Sequence, residues 1–256
     1  MIADILTVMW KERKEQTGLQ KTWRAKVVGA LIPVLMLMLL GVVPPASVGA
    51  AWISSPFSLL ASILMPLMVV SFSIPFAITG ERERKTLETL LASRLPDQAL
   101  FFGKIVPPIL RAWGVTLFVH LVSIIVVNVA NWSGALLFYT PAVLFVNLAM
   151  MLLLSLLAAS LGVLIAVRAA TVQQAVQNLM FVLMSPIILF TVFIILIGKV
   201  LPRTWEQKFA TWFERVVLPA DFLLVMLVIL SVLLLLTVTV FALAINRFRR
   251  QRLYLD

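Results

Sequence analysis

Cysteine is absent from this 256-residue chain, and histidine occurs once. Without thiols there is no disulfide framework and no thiolate metal site, and the redox compartment stays undetermined. Charge is also scarce: 12% of residues are charged and 62% are hydrophobic, too little charge to cover a soluble domain of this length. Strict alternation of apolar and polar residues is missing as well. VLMLMLLGVV (34–43) and VILSVLLLLTVTVF (228–241) are apolar on every side, which excludes a transmembrane barrel. A phosphate-binding loop of the form G-x-x-x-x-G-K-[ST] is lacking, because Gly103-Lys104 is followed by Ile105 and Gly198-Lys199 by Val200. The chain is therefore expected to bind no nucleotide, metal or other cofactor itself, and no residue is singled out as catalytic.

What is present is a series of apolar runs long enough to cross a bilayer, which takes ~20 helical residues. The reading is an all-α, polytopic membrane protein with six spans, at about 27–43, 58–79, 107–128, 141–167, 179–198 and 222–245. The first is expected to stop at Pro44-Pro45, and the third to begin at Pro107-Pro108, where proline suits a helix start. Lys21, Arg24 and Lys26, an apolar run and the small residues 46–50 mimic a cleavable signal peptide. Because 26 mostly polar residues precede that run, an uncleaved first span is expected.

In residues 1–17, Ile2, Ile5, Leu6 and Met9 fall on one side of a helix and Asp4, Thr7, Lys11 and Glu15 on the other. That pattern predicts an amphipathic helix in the membrane interface. A short helix is also expected in the loop 199–221, where Phe209, Trp212, Phe213, Val216 and Val217 recur at helical spacing. The whole chain, 1–256, reads as one transmembrane domain. Its parts are an interfacial helix (1–26), two spans (27–79), a polar loop (80–104), three spans (105–198), an outer loop (199–221), a last span (222–246) and a tail (247–256).

The net charge of +10 does not indicate nucleic acid, because the basic residues sit at the ends of apolar runs. With the N-terminus inside, the inner segments hold six Lys or Arg in 1–26, five in 80–104, Arg168, and four in the tail. The outer loops hold only Lys199, Arg203, Lys208 and Arg215. Sixteen against four predicts that both termini are cytoplasmic, in a plasma-membrane protein.

The most informative stretch is residues 80–93. Its residue types favour helix, Leu87, Leu90 and Leu91 form a small apolar face, and Pro96 ends it. Glu81 and Glu83 are read near the start of that helix and Arg94 near its end, as the helix dipole prefers. Pattern alone divides evenly between a handle for a soluble partner and an ordinary interfacial helix.

Gly80-Glu81-Arg82-Glu83, then Thr86-Leu87-Glu88, then Leu90-Leu91-Ala92 and Gly103-Lys104 resembles the signature loop of type-2 ATP-binding cassette transporter permeases. The layout of the whole chain is similar too. Arg84-Lys85 departs from the family pattern, where many members have a small or apolar residue and a glycine. The resemblance implies a coupling helix that docks on an ATPase, with Glu81, Arg82, Glu83, Thr86, Leu87, Glu88, Leu90 and Leu91 at the contact. It further implies an exporter with two copies of a separate ATPase subunit, which holds ATP and Mg, and a second permease copy or paralogue.

Within the spans, His120, Asn128, Asn147 and Asn178 are candidates for a pathway or for interhelical hydrogen bonds; for His120 the interhelical role is preferred. Ala158, Gly162 and Ala166 form a small-residue ladder that allows close helix approach. Arg111 is read as snorkelling to the headgroups. Two other classes compete with an exporter. The first is a secondary transporter or a passive membrane scaffold; an ion-coupled carrier would usually keep buried carboxylates, which these spans lack. An intramembrane lipid-modifying enzyme would need a constellation of carboxylates, His or Ser, and His120 has no evident acidic partner.

Overall fold

Helices account for every regular element that can be described. The computed structural model of the chain describes residues 2–18, 31, 33–86, 94–132, 134–199, 211 and 221–248, and contains no strand among them. We number the helices α1 (Ile2–Gly18), α2 (Pro33–Val48), α3 (Ala51–Ser54), α4 (Leu59–Glu83), α5 (Asp97–Ala130), α6 (Pro141–Ala166), α7 (Val172–Lys199) and α8 (Phe222–Arg247). Five of them, α4 to α8, are long and apolar enough to cross a membrane. The described part of the first expected span, α2, is shorter, and residues 19–30 lie outside the described set. So does the expected helix around Phe209–Val217, apart from Thr211.

The centre of the bundle is the pair α4 and α6. α4 also packs against α5 and α7, whereas α8 leans mainly on α6. Small residues set the spacing. A Cβ on Gly162 would come within 2.9 Å of Ile74 and 3.1 Å of Leu179. Ala158, Gly162 and Ala166 are all buried, so the ladder brings α6 against α4 and α7 within one chain. Lipid tails are as apolar as leucine, so such close packing, rather than escape from water, holds the helices together. Phe101 of α5 meets Phe241 and Phe248 edge-on at 5.7 and 5.5 Å, which fastens the end of α8.

Two boundaries expected at proline pairs fall elsewhere. Pro44-Pro45 does not end the first span, since α2 continues to Val48 and stops at Gly49, whose φ is +66°. The two prolines cannot donate to the carbonyls of Leu40 and Gly41, and a widened π turn over Met38–Val42 accommodates the mismatch. The Ser123 hydroxyl, donating to Val119 O at 2.9 Å, also lies 3.4 Å from Gly41 O. Pro107-Pro108 does not open the third span either. α5 starts at Asp97, after the extended backbone of Pro96, and runs through both prolines. Residues 97–104 are thus the first two turns of a span and not part of a loop. The fifth span also starts earlier than expected, at Val172, so Gln173 to Asn178 are helical.

α1 does not lie alone. Val8 and Glu12 are buried against α5, and a Cβ on Gly103 would meet Val8 at 2.5 Å. Ile2, Leu6 and Trp10 stay exposed on the other side.

Candidate functional site

α4 ends in a way its sequence explains. Thr86 N–H donates to Glu81 O and Lys85 N–H to Arg82 O, both at 3.0 Å. Lys85 has φ +58°. These are the two bonds and the left-handed residue of a Schellman stop, a position that glycine usually fills. The departure from the glycine pattern noted in the sequence falls on this residue.

Glu81 and Glu83 therefore close α4 and do not open a new helix, which corrects the sequence reading. Two carboxylates in a last turn face the negative end of the helix dipole. Each is compensated from elsewhere in the fold. Glu83 Oε1 accepts from Val172 N–H at 2.7 Å and caps the start of α7, where negative charge is favoured. Glu81 is 4% exposed and meets two ammonium groups, with Lys104 Nζ at 3.2 Å and Lys11 Nζ at 3.1 Å from its Oε1. Its other oxygen accepts from the Thr86 hydroxyl at 2.9 Å.

Lys104 is the hub. It is 1% exposed, and its three donors reach Glu12 Oε1 at 2.6 Å, Ala77 O at 2.6 Å and Glu81 Oε1 at 3.2 Å. A buried ammonium is tolerated only when its protons are all taken and counter-charges stand beside it. Both conditions are met, and the result clamps α1, α4 and α5 at one point. Arg82 and Thr79 extend the clamp. Arg82 donates to Val167 O and the Thr79 hydroxyl to Ala166 O, both at 2.9 Å, so the base of α4 also grips the turn between α6 and α7.

The structure thus brings Glu81, Arg82, Glu83 and Thr86 together at the end of α4. Leu87, Glu88, Leu90 and Leu91 lie outside the described residues. Lys11, Glu12 and Lys104 were not singled out from the sequence as a cluster. Nothing local signals a contact between residues 92 positions apart.

A second polar group lies deeper in the bundle. His120 Nδ1 and Tyr139 Oη are 3.0 Å apart, and His120 Nε2 and Ser62 Oγ 2.8 Å. The Ser62 hydroxyl donates to Asn147 Oδ1 at 2.7 Å, and Asn147 Nδ2 donates to Ser58 Oγ at 2.8 Å. Because Ser62 gives its proton to Asn147, it accepts from His120, which assigns the Nε2–H tautomer with Nδ1 accepting from Tyr139. The chain joins α4, α5, α6 and the segment before α6, and every member is buried. Tyr139, just ahead of α6, is 8% exposed and part of it. Asn128 is spent locally, bonding Ile124 O and both backbone groups of Leu137. Asn178 is exposed on α7, away from this group. No set of three His, Asp or Glu that could hold a metal occurs among the described residues.

Comparison with known families matches residues 5–216 to the family described as ABC-2 type transporter. No curated protein matches the chain. The matched region begins in α1 and extends past α7, so it contains the whole clamp as well as the buried polar chain.

Proposed function

Because the chain belongs to the ABC-2 type transporter family, a family of multi-pass permease components, we propose that it is the membrane half of an exporter driven by a separate ATPase. In this reading two ATPase copies, each holding ATP and Mg, act on two permease chains, this one and a second copy or paralogue. Six spans cross the plasma membrane, with α2 belonging to the first. Both termini and the 84–96 loop face the cytoplasm, as the distribution of Lys and Arg favours.

One observation carries the reading: the segment 87–93 leaves from a locked base. Its upstream end is the Schellman stop of α4, held through Glu81 to Lys104 and α1 and through Glu83 and Arg82 to the start of α7 and the end of α6. Its downstream end is the start of α5, whose Lys104 belongs to the same clamp. A push on 87–93 would move these ends together instead of bending one loop. Coupling then requires the ATPase to bind the two permease states with different free energy. Leu87 and Leu91 are the groups assigned to the ATPase groove, with Glu88 and Arg84 fixing orientation.

The test is purification from native membranes in mild detergent. The chain alone is expected to hydrolyse no ATP, and an ATPase subunit is expected to co-purify. Leu87→Asp with Leu91→Asp should lose that subunit and leave the chain folded. Association and transport unchanged by both substitutions would remove the docking role.

A further inference from the structure

Between α1 and α5 lies a groove of about 600 Å³, lined by Leu6, Met9, Trp10, Pro107, Leu110 and Arg111. It is open on the side where Leu6, Trp10 and Leu110 are 58%, 65% and 56% exposed. Four of its six residues are plainly apolar, and Trp10 and Arg111 bring the polar character. An indole seeks the level of the headgroups, where its ring meets hydrocarbon and its N–H meets water. Lys14 stands over the Trp10 ring at 4.8 Å and puts a second cation at that level.

Arg111 is exposed and sits ~10 Å along α5 from the buried Lys104, toward the membrane interior. A guanidinium on a lipid-facing surface needs an anion or water drawn to it. Arg111 is already engaged within the protein. Its five N–H donors leave capacity for a phosphate as well, which they match in a planar fork.

We infer that this groove is a binding site for an anionic phospholipid, with its phosphate on Arg111 and one acyl chain along Leu6, Met9 and Leu110. A zwitterionic headgroup would bring its own cation against Lys14 and Arg111, so net negative charge is selected. The site depends only on the chain lying in a bilayer, not on the identity of any motor. It also gives the exposed side of α1 a function, because a bound lipid covers the face that Val8 and Glu12 leave outward.

The experiment is delipidation of the full chain followed by add-back of phosphatidylglycerol or phosphatidylcholine, with retained lipid counted by native mass spectrometry. Phosphatidylglycerol should be retained over phosphatidylcholine, and Arg111→Gln should reduce that preference about fivefold, as expected for one basic residue at a lipid surface. Leu110→Trp, which fills the groove and removes no charge, should also lower retention. Arg168→Gln, an exposed charge outside the groove, should leave retention unchanged. Equal retention of the two lipids would overturn the inference, as would wild-type retention in both groove variants. Displacement of the lipid by millimolar inorganic phosphate would assign the site to a free anion and equally overturn it.

Discussion

Lys104 Nζ lies 2.6 Å from Glu12 Oε1, joining two residues 92 positions apart at a point where neither is open to solvent. The pair fixes α1 to the start of α5, and through Glu81 to the end of α4. Everything assigned to the 84–96 loop depends on that base being rigid.

Removing the hub should be costly. Lys104→Met takes the shared cation from two buried carboxylates and leaves Glu81 only the half-exposed Lys11, and breaking a buried pair destabilises by about 3–5 kcal/mol. Thermal unfolding in detergent should show a large drop for Lys104→Met. Much of it should return when Glu12→Gln and Glu81→Gln are added, since the two buried carboxylates are then neutral and the Lys11 ammonium is open to water. A single Lys104→Met variant as stable as the wild type would contradict the clamp.

The stop of α4 makes a prediction of opposite sign. Lys85 occupies the left-handed region at φ +58°, where a residue with a Cβ is strained by roughly 1 kcal/mol relative to glycine. Lys85→Gly should therefore raise the melting temperature slightly, even after the greater freedom of glycine in the unfolded chain is counted. Lys85→Val, β-branched, should lower it, and Arg84→Gly, at φ −81°, should give no gain. A ranking with valine above glycine would refute the assigned geometry.

Contact between α1 and α5 can be tested at Gly103. A Cβ there would lie 2.5 Å from Val8, too close for any real pair of carbons. Overpacking of this kind costs about 1–3 kcal/mol and outweighs the helix propensity gained from alanine. Gly103→Ala should destabilise the protein, and Val8→Ala in the same chain should restore part of the loss, because it removes Cγ1 but keeps the Cβ that also lies 2.5 Å away. Independent, additive effects of the two substitutions would show that the helices do not touch there.

The buried polar chain predicts coupling of another kind. His120→Ala leaves Tyr139 and Ser62 without a shared partner and should cost about 1–3 kcal/mol. Tyr139→Phe, which removes one bond, should cost less. Combined, the two should fall short of their sum by about 0.5–1.5 kcal/mol, the value of one hydrogen bond, in a double-mutant cycle read by thermal unfolding. Strict additivity would mean that His120 and Tyr139 do not share the 3.0 Å contact.

The spans were legible because a helix apolar on every side has no other stable solution than lipid or a protein core. Their ends were less so. Pro107-Pro108 reads as a helix start by the rule for soluble helices, yet α5 passes through it because neighbouring helices support the freed backbone groups. Glu81 and Glu83 show a deeper difficulty. Composition indicates a helix in their region, but not which helix they belong to, and the expected favourable dipole becomes an unfavourable one when they end α4. Their compensation by Lys104, Lys11 and Val172 N–H comes from three distant segments, so no local pattern announces it. Lys85 is the converse case. Its departure from the glycine of the resembling family was visible in the sequence, and the left-handed backbone explains why that position matters.

The central claim is that the segment between Thr86 and Arg94 is the handle of a separate motor, and its most direct measurement is proximity. The chain has no cysteine, so Leu91→Cys provides a single attachment point for a photoreactive crosslinker in native membranes. Irradiation should join the chain to an ATPase subunit, and a saturating ATP analogue should change the yield. A crosslink found only with lipid, or reagent reaching the introduced thiol only from the external side, would contradict the account.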